Sequence, residues 1–209
     1  MSLMQNNGQV SGKCAGGSRD VRVKVVCGDY CNTYVVEVCG KIIVVDAGAA
    51  VEMLGQINVD YIFITHAHYD HFCYLNDYLR AFAGARVLLS ARACEKIEDV
   101  HLSVASEFFG VESLSFDKTR FEVVGESTRL CGLDVEFVEL SGHTDCALGM
   151  IVGECLFSGD AIFVDGIGRY DLPTGDFEAQ MRTLEKIRCM QGIKCIYAGH
   201  GDIINKENT

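Results

Sequence analysis

Hydrophobic positions along this chain fall into short runs separated by turn residues. Residues 21–27, 33–38 and 41–45 are dense in β-branched side chains, which predicts three successive strands. The Cys39-Gly40 junction predicts a tight hairpin between the last two. Residues 51–54 predict one short helix, and 61–65 a strand apolar enough to be buried on both faces. Residues 72–82 carry apolar side chains at helical spacing and close at Gly84. A strand over 86–89 and a helix over 91–97 follow.

The second half repeats the theme. Short strands are predicted over 121–124, 133–138, 150–152 and 155–157, with a last one over 193–197. Residues 176–189 form an amphipathic helix with Phe177, Met181, Leu184 and Ile187 on one side. Residues 99–118 follow neither period and predict an irregular region over a site, where substrate contacts are common. Two strand-rich halves, each with helices and with no repeat between them, predict an α/β (α+β) fold of two sheets packed face to face with helices outside. Residues 1–20 are polar and rich in Gly and Ser, and are expected to be a flexible segment ahead of a single domain over 21–209.

Composition narrows the function classes. A length of 209 residues fits one domain with a substantial core, and 49% hydrophobic with 22% charged residues is ordinary for a soluble protein. The formal net charge is −11 and no basic run occurs, which argues against nucleic-acid binding. The longest apolar candidate, 42–51, is interrupted by Asp46 and falls short of the roughly 20 residues that cross a bilayer. No signal-like segment opens the chain, so a cytoplasmic location off the membrane is expected. Eleven cysteines, an odd number without a Cys-x-x-Cys pair, read as buried small hydrophobes in a reducing compartment rather than a disulfide framework. Cys73 and Cys146 are the thiols placed best to lie near a site.

The chemistry sits in the histidines. Five of the six fall in three motifs: Thr65-His66-Ala67-His68-Tyr69-Asp70-His71, Ser141-Gly142-His143-Thr144-Asp145 and Gly199-His200-Gly201-Asp202. Phe157-Ser158-Gly159-Asp160 lies between the last two. Neutral imidazole and carboxylate hold zinc or iron without the redox liability of sulfur. Alternation along an extended segment would point His66, His68 and Asp70 the same way, with His71 swung back at the start of the next helix. Glycines beside His143, Asp160 and His200 let those segments approach closely. Seven donors exceed the needs of one tetrahedral ion and suit two ions, with Asp160 as the bridge. His101 is read as a surface residue.

At these residues the chain resembles the metallo-β-lactamase superfamily. The His-x-His-x-Asp-His signature is present at His66, His68, Asp70 and His71, and His143, Asp160 and His200 match the later members. The resemblance covers nearly the whole chain and implies a four-layer αβ/βα sandwich with the metals at one edge of the sheets. It implies that His66, His68, His143 and Asp160 hold one ion, and that Asp70, His71, Asp160 and His200 hold the other. Asp46 matches the family's early Asp-x-Gly, either orienting the ligands from outside or serving as a turn residue. The stretch from Gly168 to Asp176 is similar to the glyoxalase II-like and persulfide dioxygenase-like branch. Arg169 and Asp171 are candidates there for ligand support or substrate contact, against a plain capped turn into the next helix.

Two departures stand out. Phe72-Cys73-Tyr74 replaces the family's small residue and glycines, which is expected to alter the pocket wall. Glyoxalase II proper carries a glutathione-binding helical domain after this point, whereas nine residues follow His200 here, so glutathione specificity is not expected.

Two divalent ions outweigh Asp70, Asp160 and one bridging hydroxide, so the site suits a small anionic substrate. Metal can lower the pKa of water from roughly 15.7 to about 7, so hydrolysis of a small thioester or ester by the bridging hydroxide is expected, with Asp70 moving the proton. Zinc is the first choice of metal, with iron and manganese as alternatives. One alternative reading is a mononuclear iron persulfide dioxygenase using His66, His143 and Asp160. Another is a non-catalytic metal-binding or redox-sensing protein, whose effect would survive Asp70→Ala. A homo-oligomer is compatible with either.

Overall fold

The computed structural model describes residues 11–13, 21–130 and 132–206. Among them, seven strands form one mixed sheet in spatial order: β1 (Ser11–Lys13), β2 (Arg22–Cys27), β3 (Asn32–Val38), β4 (Lys41–Val45), β5 (Tyr61–Phe63), β6 (Arg86–Leu89) and β7 (Phe121–Val123). β1 to β4 pair antiparallel, and β4 to β7 pair parallel. The helices α1 (Leu75–Ala81), α2 (Ala91–Lys96) and α3 (Ala105–Phe109) belong to this half. The second sheet contains β8 (Glu136–Glu139), β9 (Leu148–Val152), β10 (Cys155–Gly159), β13 (Cys195–Ala198) and β14 (Ile204–Asn205). A hairpin of β11 (Ile162–Phe163) and β12 (Gly166–Ile167) and the helix α4 (Phe177–Cys189) lie between β10 and β13 in the chain.

Alternation along the strands sorts side chains between layers. Ile43, Val45, Phe63 and Leu88 meet Phe137, Met150, Val152 and Phe157 between the sheets. Their neighbours Val44, Ile62, Val87 and Leu89 face the other way, onto Leu75, Tyr78 and Ala93 of α1 and α2. Beyond the second sheet, Val138, Leu156 and Ile196 pack on Ile187 of α4. The result is the expected helix–sheet–sheet–helix sandwich. No helix of the described residues is long and apolar enough to cross a membrane.

Most predicted elements appear within a few residues of their bounds. Cys39 and Gly40 both take positive φ, as a two-residue hairpin turn requires. The expected flexible segment 1–20 lies outside the described residues except for β1.

The differences have physical causes. β5 ends at Phe63, because the Thr65 amide donates to the Asp46 carboxylate instead of a neighbouring strand. The helix predicted from residue 72 begins at Leu75. Before it, a 3-10 turn over Tyr69–His71 is tied to the exit of β4: Ala47 donates to His71 and Tyr74 donates to Ala47. The irregular region 99–118 contains α3.

On α4, Phe177 and Met181 are 51% and 46% exposed, whereas Gln180, Thr183 and Ile187 are buried. The polar pair is drawn in because Gln180 donates to the Ala161 carbonyl and Thr183 to the Ser141 carbonyl, and buried carbonyls need donors. Those bonds brace the two loops that carry Asp160 and His143. Only three described cysteines, Cys31, Cys146 and Cys155, are buried; Cys27, Cys39 and Cys189 are exposed, against the expectation of a mainly buried set. They fall at strand ends, turns and helix termini, where a small side chain is not drawn inward.

Candidate metal centre

Strand ends bring the functional segments together at one edge of the sandwich. β4 delivers Asp46, β5 delivers Thr65 and His66, β10 delivers Asp160, and β13 delivers Gly199 and His200. The β8–β9 connection delivers His143. Backbone hydrogen bonds tie the two sheets here: Asn32 donates to Gly199 at 2.7 Å and Leu148 to Thr65 at 2.8 Å, while Gly199 donates to Gly159 at 2.9 Å within the second sheet.

All seven sequence-predicted donors converge. The His66 ring centroid lies 4.2 Å from that of His71 and 4.9 Å from those of His68 and His143. His68 Nδ1 is 2.8 Å from His143 Nε2. His200 Nε2 is 3.2 Å from Asp70 Oδ2. Asp160 stands between the groups: Oδ1 is 3.2 Å from His71 Nε2, and Oδ2 is 3.4 Å from His200 Nε2 and 3.6 Å from His143 Nε2. Donor atoms of His66, His68 and His143 lie within 4.8 Å of one another, as do those of His66, His71 and Asp160, and of Asp70, His71 and His200.

A fit to cations follows from the unpaired atoms. Nε2 of His66, His68 and His71 and Oδ1 of Asp160 are buried without a hydrogen-bond partner. Leaving such groups unpaired costs roughly 1–3 kcal/mol each; cations would satisfy His66 Nε2, His71 Nε2 and Asp160 Oδ1, while His68 meets the cluster through Nδ1, the atom that faces His143 Nε2. Charge agrees with geometry. Burial pushes the His68 imidazole down to about 3 and depresses His66 and His143 as well, so these rings are neutral, the form that ligates metal. Hydrogen bonds to Asp160 and Asp70 lift His200 to about 9. Burial alone would raise the Asp160 carboxyl, yet His71 and His200 beside it hold it well below the carboxylate range. Positive charge is what this pair of carboxylates selects.

Three of the five rings, those of His66, His71 and His143, are aimed by a partner outside the cluster. Asp46 is buried in a left-handed conformation (φ 59°) that Asp tolerates better than most residues. Its Oδ1 accepts from the Thr65 amide at 2.8 Å, and its Oδ2 accepts from the Thr65 hydroxyl at 2.9 Å and from His71 Nδ1 at 2.8 Å. The Thr65 hydroxyl in turn accepts from His66 Nδ1 at 3.1 Å. One carboxylate therefore sets two imidazoles with Nε2 toward the cluster, the arrangement typical of metal-ligating histidine. Asp46 thus bonds His71 directly and reaches His66 through Thr65. His143 Nδ1 donates to the Arg169 carbonyl at 2.6 Å.

Arg169 thus reaches the cluster through its main chain. Its guanidinium holds Asp171 at 2.9 Å in a two-point exposed pair, and Asp171 touches no predicted ligand. Phe72 is fully buried in the core behind the turn rather than in the pocket wall, since the 3-10 turn rotates it inward. Cys146 accepts from the Ala67 amide and braces the His66–His68 segment. Cys73 packs against the carbonyls of Ala47 and Asp70. His101 is exposed and paired with Glu107. Sequence reasoning missed Thr65, visible only as the residue before the signature, and Cys31, buried in reach of Asp46 and His71.

Gly199 shows how tightly the cluster is packed. A Cβ there would lie 2.1 Å from Asp160 Oδ1 and 2.5 Å from His71 Cε1. Gly199→Ala is expected to weaken metal binding about 10–100-fold, the range for a disturbed ligand support. Titration of the metal-free variant against a chromophoric chelator checks it, and unchanged affinity would refute this account of the packing.

The cluster opens into a cavity of about 470 Å³. Asp70, His200 and His68 face it, with Val104, Phe108, Phe163 and Arg169 among the other lining residues.

A family model described as the metallo-beta-lactamase superfamily matches residues 28–200. A probable metallo-hydrolase of Methanocaldococcus jannaschii is 30% identical over 156 residues, spanning 73% of this chain and 74% of that protein. Hydroxyacylglutathione hydrolase GloC of Haemophilus influenzae is 31% identical over 169 residues, spanning 76% of this chain and 79% of the relative. A crystal structure of a protein in a di-iron-bound form superposes with a TM-score of 0.74 at 25% identity, covering 87% of this chain and 93% of the other.

Proposed function

The chain belongs to the metallo-β-lactamase superfamily, and from that premise we propose that it is a metal-dependent hydrolase of a small thioester or ester. The observation that carries the proposal is the set of three buried, partnerless donor atoms on His66, His71 and Asp160, beside the facing nitrogens of His68 and His143 and opening onto a cavity beside Asp70. His66, His68, His143 and Asp160 would hold one divalent ion, and Asp70, His71, Asp160 and His200 the other. Zinc is the proposed native metal. Bound there, the metals supply Lewis acidity toward a carbonyl and water made acidic enough to react at neutral pH.

The chain's own residues do the rest. Asp46 and Thr65 hold His71 and His66 in one tautomer. Asp160, buried between the imidazoles, fixes the separation of the two halves of the site. Asp70 is the more exposed of the two carboxylates and faces the cavity. Its carboxylate is placed to take a proton from the attacking water and return it to the leaving thiol or alcohol. Similarity to a hydroxyacylglutathione hydrolase supports the thioester class.

The test is turnover by the zinc-loaded protein of thioester, lactone and β-lactam panels. Two metals per chain with thioester or ester cleavage is the expected result. No turnover of any panel at full loading would overturn the proposal, as would one iron per chain with oxygen uptake on a persulfide. Chelator treatment should abolish turnover and lower the melting temperature. A ligand present at a hundred times its Kd stabilises the native state by about 2.7 kcal/mol, so the shift is readily measured by calorimetry.

A further inference from the structure

Beyond the metal-ligating groups, the cavity wall comes from two short segments. Val104, Phe108 and Phe109 enter from α3 and the residue before it; Phe163, Ile167 and Leu172 enter from the β11–β12 hairpin and the strand exit after it. All six are apolar. Phe108 is 57% exposed at the cavity mouth, in one wall with five other apolar side chains. Val104 has φ 54°, a left-handed conformation that β-branched residues rarely adopt, so the chain holds this side chain in the wall against its own preference. Phe109 is braced by the rings of Tyr69 at 5.1 Å and Tyr30 at 5.6 Å, which makes the wall rigid. Phe163 lies edge-on to His200 at 6.0 Å and joins this wall to the ligands. Among the described lining residues outside the metal cluster the one cation is Arg169, whose Nε and Nη2 already hold Asp171.

We infer that the substrate carries an apolar aliphatic or aryl group beside its scissile carbonyl, lodged against Val104, Phe108 and Phe163, and that a charged group in that place is rejected. A charged tail would lose its water shell against the rings, and the Arg169 guanidinium beside them is already paired with Asp171. It stands as an alternative to the anionic tail expected from the metal charge alone. The inference rests on the hydrolase reading for the chemistry, but the binding it predicts can be measured without turnover.

Calorimetry on the zinc-loaded protein with acetate, butanoate, hexanoate and adipate reads the acyl side, and ethanethiol against hexanethiol reads the leaving-group side. Each buried methylene is worth roughly fourfold. With partial burial, at least about tenfold tightening is expected across one of the two series, with adipate weaker than hexanoate. Phe108→Asn, at an exposed position, should flatten that series. In parallel, kcat/KM on thioesters of a neutral thiol should climb with chain length. If neither series tightens, or adipate matches hexanoate, the inference is wrong even where thioesters are cleaved. If no thioester is cleaved but a series tightens and Phe108→Asn flattens it, the hydrolase reading fails and the apolar site stands.

Discussion

Asp160→Ala is expected to empty both metal positions in protein isolated without added metal, and to lower thioester or ester turnover at least roughly a thousandfold, equivalent to about 4 kcal/mol. The reason is its central place: Oδ1 faces His71 while Oδ2 faces His143 and His200. No other buried carboxylate lies between the two groups of imidazoles among the described residues; Asp46 stands behind them and Asp70 to one side. Asp160→Asn keeps the shape and removes the charge, so it separates packing from electrostatics. Both variants should fold, as judged by far-ultraviolet circular dichroism, because the side chain contacts the cluster rather than the cores. Full metal content with activity within tenfold of the parent in Asp160→Ala would sink the two-ion reading.

Asp46→Ala is expected to act on stability and on metal affinity together. Removal strands the Thr65 amide, the Thr65 hydroxyl and His71 Nδ1, all buried. At roughly 1–3 kcal/mol for each stranded group, with partial relaxation, a loss of about 3 kcal/mol in the metal-free protein is expected, seen as a lowered melting temperature. Alanine also tolerates the left-handed backbone less well than aspartate does. Asp46→Asn preserves the backbone but presents an amide NH2 where one of its partners needs an acceptor. It should fold yet bind metal about 10–100-fold more weakly. Thr65→Val separates the two arms, since it spares the Asp46–His71 bond and strands only His66 Nδ1. If Asp46→Asn binds metal as tightly as the parent, Asp46 is a turn residue and the orienting role is wrong.

The strands and the ligand set were legible because each is written locally. Unbroken apolar runs in β4, β5 and β6 state that both faces are buried, and clustered His and Asp with glycine at strand ends state that something must compensate buried polar groups. The amphipathic side of α4 was misread for a related reason. Hydrophobicity favours Phe177 and Met181, but the carbonyls of Ser141 and Ala161 required donors, and a buried carbonyl without one costs more than an exposed ring. α3 escaped notice because it is five residues long, too short to show a period.

By itself, then, the amino-acid order determined the layered architecture and the seven side chains that converge at one edge of it. Tertiary structure alone decided that Asp46 serves His71 directly and His66 through Thr65, that Arg169 contributes a carbonyl instead of its charge, and that Phe108 and Phe163 share one wall with Val104. The division has a physical origin. Which groups must be compensated depends on composition along a few consecutive residues, whereas which atom compensates them depends on distances between segments far apart in the chain.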